Sequence, residues 1–167
     1  MVLDTNVLVS GFLAPGGPPG RTLDLVLRGD LELAVDDRIR AEYDDVLRRP
    51  ALALPTEEVA ILPGFLAERA ARVSARPLAL GLPDVDDEMF VEVAREAGAD
   101  ALVTGNLRHY PRVAEAISPR RFLDRFTKEN AGRQPPARRR GVASGPRLPA
   151  ATRPSSRGPA SAESSQL

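Results

Sequence analysis

The chain begins with MVLDTNVLVSGFL, in which two apolar runs flank the polar triplet Asp4-Thr5-Asn6. The apolar runs predict a buried strand over residues 2–9. A buried strand does not normally carry a carboxylate, because burying an unpaired charge costs several kcal/mol. We therefore expect Asp4 to lie where this strand opens onto a cleft, facing a cation or a substrate.

The pattern that follows alternates strands with helices as far as residue 127. Further strands are predicted over residues 31–35, 78–80, 101–104 and 117–118, and helices over residues 21–27, 36–47, 56–73, 84–97 and 119–126. Pro63 predicts a break or kink inside the third of these helices. Such alternation indicates a parallel α/β sheet with helices on both faces, in which ligands gather at the carboxyl ends of the strands.

Charge and composition divide the chain into two parts. Residues 1–127 carry 15 basic and 21 acidic side chains, whereas residues 128–167 carry 8 basic and 2 acidic ones. The second part is rich in Pro, Ser, Ala, Arg and Gly, a composition that buries too little apolar area to offset the entropy of ordering. We predict a domain over 1–127 and a disordered basic tail over 128–167. Its Arg138-Arg139-Arg140 triplet is either solvated or attracted to RNA or DNA phosphates.

Several function classes are disfavoured by what the sequence lacks. It contains no cysteine, which removes a disulfide framework and thiolate metal sites. It has neither an apolar run of about 18 residues nor the features of a signal peptide. Aromatic residues make up only 4% of the chain, too few for a platform on which single-stranded bases stack. We expect a cytoplasmic protein that does not bind a membrane.

Polar side chains recur at four places where strand ends and helix faces could meet. Asp84, Asp86 and Asp87 could simply cap a helix, Glu42 could be a solvated helix residue, and Asn106 could form a turn. Asp4 is hardest to explain in this way, since it interrupts an apolar run. The joint pattern favours a functional site.

A divalent cation accounts for this set of residues chemically. Crowded carboxylates repel one another, and their pKa values rise unless a cation intervenes. Mg²⁺ and Mn²⁺ prefer oxygen ligands, can lower the pKa of a bound water, and can neutralise charge on a phosphodiester. His109 is the only histidine, which leaves little material for a histidine-centred catalytic triad.

Four stretches, in this order, resemble the PIN-domain family, and in particular the toxins of bacterial toxin–antitoxin pairs: VLDTNVLVSGFL, RIRAEYDDVLRRP, LPDVDDEMFVEVAREAGADALVTGNLRHYP and ISPRRFL. The resemblance implies a three-layer α/β/α fold with a parallel sheet of about five strands. It implies a metal-dependent endoribonuclease that cuts RNA with Mg²⁺ or Mn²⁺. The partners it implies are an RNA substrate, a cognate antitoxin and a second copy of the chain.

The resemblance also assigns roles to individual residues. The family's acidic positions match Asp4, Glu42 and Asp87, which would be both catalytic residues and metal ligands, with Asp86 as an alternative to Asp87. The fourth catalytic position, often an aspartate in the family, matches Asn106. This departure leaves three carboxylates, enough for one ion.

Other side chains are candidates for positioning or for contacting substrate. Asn6 matches the polar partner of Asp4 in the first motif, and Thr104 precedes Asn106. Arg108 and His109 follow Asn106 and could contact a phosphate. Further arginines that could ring the cleft are Arg38, Arg40, Arg48, Arg49, Arg112, Arg120 and Arg121.

Three alternatives to a nuclease remain. One is a PIN-like module that binds RNA or a partner without cutting it. A nucleotide-binding domain using Gly16-Gly17 is disfavoured, because no phosphate-binding glycine motif follows the first strand. A phosphotransfer domain would require a lysine near the strand-end aspartate, and the only lysine, Lys128, lies in the predicted tail.

Overall fold

The computed structural model describes residues 1–131, so most of the predicted tail lies outside the described residues. Five short strands occur in it: β1 (Val2–Leu3), β2 (Ala34–Val35), β3 (Ala71–Arg72), β4 (Leu102–Val103) and β5 (Ala116–Ile117). The helices are α1 (Thr5–Leu13), α2 (Pro18–Leu27), α3 (Asp37–Leu47), α4 (Thr56–Val59), α5 (Leu62–Arg69), α6 (Glu88–Glu96) and α7 (Pro119–Ala131). Single 3₁₀ turns occupy Pro50–Leu52, Val85–Asp87 and Leu107–His109.

All strand pairs are parallel, which confirms the predicted fold class. The order β1-β4-β5 forms a three-stranded sheet, and β2 and β3 form a second sheet. The amide of Ala34 donates to the carbonyl of Met1 at 2.8 Å, so β2 runs beside the edge of β1 that faces away from β4. The five strands therefore follow the order β3-β2-β1-β4-β5, although the longest continuous sheet has three strands rather than about five.

The strand predicted over residues 2–9 is wrong beyond Leu3. Asp4 is the N-cap of α1: its carboxylate accepts from the Asn6 amide at 3.0 Å, and its carbonyl accepts from the amides of Val7 and Leu8. The buried residues of α1 include Val7, Leu8, Gly11 and Phe12, which follow the period of a helix rather than that of a strand. Asp4 thus lies at the end of a strand and not inside one.

Three other predicted elements differ from the structure. The helix over residues 56–73 is divided into α4, α5 and β3, with the break before Leu62, because Pro63 is tolerated in the first turn of α5 but not in a helix interior. No strand forms at residues 78–80, where Ala79 has a positive φ of 48°. By contrast, α3 follows the prediction, with Asp36 as its N-cap. The last helix continues to Ala131, past the predicted boundary at residue 127.

The core is built around the central strands and the helices that cover them. Val2, Leu3, Leu102 and Val103 of β1 and β4 have no exposed surface. Helix α6 adds Phe90 and Val91 to this core; α1, α2, α3 and α7 contribute further buried apolar residues. No helix in residues 1–131 combines the length and apolar character needed to cross a membrane.

Candidate active site

The central strands bring two polar side chains together at one edge of the sheet, the edge formed by the carboxyl ends of the strands. Asp4 follows β1, Thr104 follows β4, and the register pairs Leu3 with Val103. The hydroxyl of Thr104 donates to Oδ2 of Asp4 at 2.7 Å. The chain passes from β1 to β2 and from β4 to β5, which lie in opposite directions along the strand order. The carboxyl ends of β1 and β4 are therefore the topological switch point, where open α/β sheets bind ligands.

Asp4 is held by four hydrogen-bond donors although it is only 4% exposed. The Asn6 amide donates to Oδ1; the Asn6 side-chain amide (2.7 Å), the Thr104 hydroxyl (2.7 Å) and the Tyr110 hydroxyl (3.1 Å) donate to Oδ2. These bonds replace the hydration that burial removes and fix the orientation of the carboxylate.

Asn6 links the start of α1 to the turn after β4. Its Oδ1 accepts the amide of Gly105 at 2.8 Å, while its side-chain amide donates to Asp4. A Cβ atom at position 105 would lie 2.8 Å from Oδ1 of Asn6. The close approach of Asn6 therefore explains why glycine follows Thr104.

Glu42 reaches the same edge of the sheet from α3. Its Oε1 accepts the Thr5 hydroxyl at 2.6 Å, and the neighbouring Tyr43 donates its hydroxyl to the carbonyl of Leu3. Partial burial raises the pKa of Glu42 above its ordinary value. The bond from Thr5 opposes this shift, whereas the negative charges of Asp4 and of the Asp86–Asp87 pair add to it.

Asp87 occupies the N-cap position of α6 but does not act as a cap. Asp84 instead accepts an amide of the preceding 3₁₀ turn, whereas Asp87 Oδ2 lies 2.8 Å from Nδ1 of His109 and its Oδ1 lies 3.4 Å from the Tyr110 hydroxyl. Burial raises the pKa of Asp87, and the charge of Asp4 raises it further, while His109 lowers it. Helix capping therefore accounts for Asp84 and not for Asp87.

Tyr110 joins two of the predicted carboxylates and was missed by sequence reasoning. It is 3% exposed, and its hydroxyl lies between Oδ2 of Asp4 and Oδ1 of Asp87. Burial raises its pKa well above the ordinary value, and both carboxylates add to the shift, so the hydroxyl keeps its proton and donates it. The sequence signal that could have indicated Tyr110 is the rarity of tyrosine. The chain has two tyrosines, and the hydroxyls of both contact the end of β1 or the residue after it.

The remaining predicted residues lie at the margin of this arrangement. The Asn106 amide donates to the Thr104 hydroxyl, and its side chain accepts from Arg108 at 3.4 Å; among residues 1–131 no hydrogen bond joins that side chain to Asp4, Glu42 or Asp87. Asp86 is exposed, and its amide bonds to Asp84.

Four of the arginines predicted to ring the cleft form ion pairs. Arg38 pairs with Asp36 and Glu92, and the others, on the outside of α3 and just after it, pair with nearby aspartates: Arg40 with Asp37, Arg48 with Asp44, and Arg49 with Asp45. These contacts satisfy the arginines within the protein, which makes Arg108 the better-placed candidate for a phosphate.

The donor chemistry of this edge fits a hard divalent cation. Asp4, Glu42 and Asp87 offer only oxygen, and the charge of Asp4 raises the pKa of both of the others, so a cation would relieve their repulsion. Within the described residues, however, no group of three or more acidic or histidine side chains is gathered closely enough to hold an ion. Coordination by all three carboxylates therefore requires side-chain rotation.

The strand order and the buried aspartate at the switch point define a parallel α/β domain with an acidic site. A family model described as a PIN domain matches residues 1–108, so the chain belongs to the PIN-domain family. The match includes Asp4, Glu42, Asp87 and Asn106. PIN domains are generally nucleases and are typically metal-dependent. Comparison with curated proteins and with solved structures gave no match.

Proposed function

We propose that this protein is a metal-dependent endoribonuclease whose active site is the edge of the sheet around Asp4. The observation that carries the proposal is the burial of Asp4 at the switch point, next to two carboxylates whose pKa values it raises. A carboxylate that served only to cap α1 would not need three donors on Oδ2, two of which come from the segment after β4.

Asp4, Glu42 and Asp87 are the residues that would hold Mg²⁺ or Mn²⁺. The bound ion would supply positive charge beside the scissile phosphodiester and lower the pKa of a water molecule. Asn6 and Thr104 orient Asp4, and Thr5 orients Glu42. The three carboxylates carry enough negative charge to neutralise one divalent ion, and the uncharged Asn106 adds none.

We assign the approach of the RNA to the side of the site formed by the turn after β4. Arg108 is exposed there, and His109 is partly exposed while bonded to Asp87. Both could donate to phosphate oxygens, which are the main contacts through which proteins position nucleic acids. These residues would place the phosphodiester next to the carboxylates.

The test is RNA cleavage by the wild type and by Asp4→Asn, with Mn²⁺ or with a chelator. Loss of the charge at Asp4 would remove several kcal/mol of transition-state stabilisation, a rate loss of at least about 100-fold. Glu57→Gln, an exposed change on α4, is the matched control and should cleave like the wild type. Wild-type RNA binding without cleavage under any metal condition would favour the second candidate, a non-cutting binding module.

We further propose, from the resemblance of the four sequence stretches, that the nuclease is a toxin silenced by a cognate antitoxin. Expression of the wild type alone should arrest growth, and expression of Asp4→Asn should not. Where a small open reading frame adjoins this gene, its co-expression should restore growth if it encodes the antitoxin. Homodimer formation is a separate proposal, which light scattering of the purified chain tests directly.

A further inference from the structure

One arginine connects α3, which carries Glu42, to α6, which begins directly after Asp87. Arg38, in the first turn of α3, donates its Nε to Asp36 at 2.8 Å and its Nη1 to Glu92 of α6 at 2.7 Å. Asp36 and Glu92 are buried, whereas the Arg38 side chain is 40% exposed. The contact between Arg38 and Glu92 is the only ion pair between α3 and α6 among residues 1–131.

Glu92 uses its second oxygen to hold the chain that leads to Asp87. Its Oε1 accepts the amide of Leu78 at 2.7 Å. One turn earlier on α6, Oε1 of the buried Glu88 accepts the amides of Gly81 and Leu82. These two glutamates anchor the irregular residues 73–84, which contain no helix or strand of their own and run directly into the 3₁₀ turn that ends at Asp87.

Arg38 also lies directly beside the proposed site. A cavity of about 330 Å³ lies between α3 and α6, and its lining includes Arg38, Glu42, Asp86 and Glu92. Loss of the guanidinium would leave the buried carboxylates of Asp36 and Glu92 without the positive charge that they share. Their repulsion would separate α3 from α6 and move Glu42 away from Asp87.

We propose that Arg38 and Glu92 are positioning residues, which set the spacing of Glu42 and Asp87 and thereby the affinity of the site for a divalent ion. The inference rests on the proposed function, because it assigns these residues to the same metal centre. Groups that orient ligands from outside the coordination sphere commonly control metal affinity in this way.

The experiment measures Mn²⁺ binding by calorimetry, RNA cleavage against Mn²⁺ concentration, and thermal unfolding, for the wild type and four variants, one of which is Arg38→Lys. Arg38→Met removes the connection, and Glu92→Gln removes its charge while keeping an acceptor for Leu78. Arg95→Met is the matched control: Arg95 lies on α6, its side chain is 41% exposed, and it pairs with Glu115 rather than with α3.

We expect Arg38→Met to weaken Mn²⁺ binding by about 10-fold or more, with a rate at saturating Mn²⁺ within about threefold of the wild type. Glu92→Gln should change affinity in the same direction by a smaller factor, and Arg95→Met should leave it unchanged. Arg38→Lys should recover only part of the loss, because one ammonium group cannot replace the two-sided guanidinium.

A merely structural role would lower the unfolding temperature of Arg38→Met and leave Mn²⁺ affinity unchanged, which would overturn the inference alone. If Arg38→Met does not fold, Glu92→Gln decides: unchanged affinity overturns the inference, and weakened affinity supports it. A wild-type protein that binds no Mn²⁺ would overturn the proposed function and this inference with it.

Discussion

The inner part of the site is fixed by hydrogen bonds, whereas the outer part contains carboxylates that are destabilised by neighbouring negative charge. Asp4, the inner carboxylate, is buried at a strand end and accepts four hydrogen bonds. Glu42 and Asp87, the outer carboxylates, lie on different helices and are partly exposed. Each keeps a raised pKa despite a hydrogen bond that opposes the shift.

This difference shows how the fold divides two tasks. The inner carboxylate is oriented in advance, so that no ordering is required when substrate arrives. The outer carboxylates lie close enough to Asp4 for its negative charge to raise their pKa values, but they do not converge on one point. A bound cation would stabilise this arrangement. Glu42 and Asp87 are therefore the residues whose surroundings should change most on metal binding.

The largest effect on cleavage that we expect in the outer part distinguishes Asp87 from Asp86. If the proposed function is correct, Asp87→Asn should lower the rate of metal-dependent RNA cleavage by at least about 100-fold, because a proposed metal ligand is lost. Asp86→Asn should have a far smaller effect, since Asp86 is exposed and makes no side-chain bond to the site. Equal losses in the two variants, measured under the same conditions, would refute the assignment of Asp87.

A change at Gly105 tests the rigidity of the inner part. In Gly105→Ala the added Cβ would displace the Asn6 side chain, which bonds both Gly105 and Asp4, and we expect cleavage to slow by about 10-fold. Gly64→Ala is the control, because a Cβ at that position of α5 meets nothing within 4 Å. An unchanged rate for Gly105→Ala would show that Asn6 does not orient Asp4 for catalysis.

The smallest expected effect is on stability. Folding raises the pKa of Glu42, so the protonated form of Glu42 stabilises the folded state. This stabilisation is fully present below the ordinary pKa of 4.5 and is lost as the pH rises through the pKa of the folded protein. Metal-free Glu42→Gln should therefore match the wild type at low pH and exceed it near neutrality by at most about 1 kcal/mol, after discounting for solvent screening. Urea unfolding across pH measures this difference, with Glu57→Gln as the control.

Parts of the fold that depend on local signals were predictable. Helix α3 has a clear N-cap at Asp36 and an apolar stripe that includes Ile39, Tyr43 and Leu47, and it forms where the sequence places it. The site assignment stays a prediction: Tyr110 contacts both Asp4 and Asp87, and Glu42 bonds to Thr5 beside Asp4, but the three carboxylates are not gathered closely enough among the described residues to hold an ion.

Other parts depend on contacts between distant residues. The valines and leucines after Asp4 are compatible with either a strand or a helix. Only packing against the core determines that these residues form helix α1. The apolar residues 78–80 form no strand because the backbone there bonds to the Glu92 side chain. Tyr110 bonds to Asp4 across 106 residues of chain and to Asp87 across 23, and no local pattern specifies these contacts.

The most direct test of the account is calorimetric titration of the purified chain with Mn²⁺ near neutral pH, for the wild type and Asp4→Asn. We expect one bound ion per wild-type chain and no measurable binding by Asp4→Asn, with both proteins folded by circular dichroism. Binding of Mn²⁺ to Asp4→Asn with the wild-type affinity would contradict the claim that Asp4 is the centre of the site.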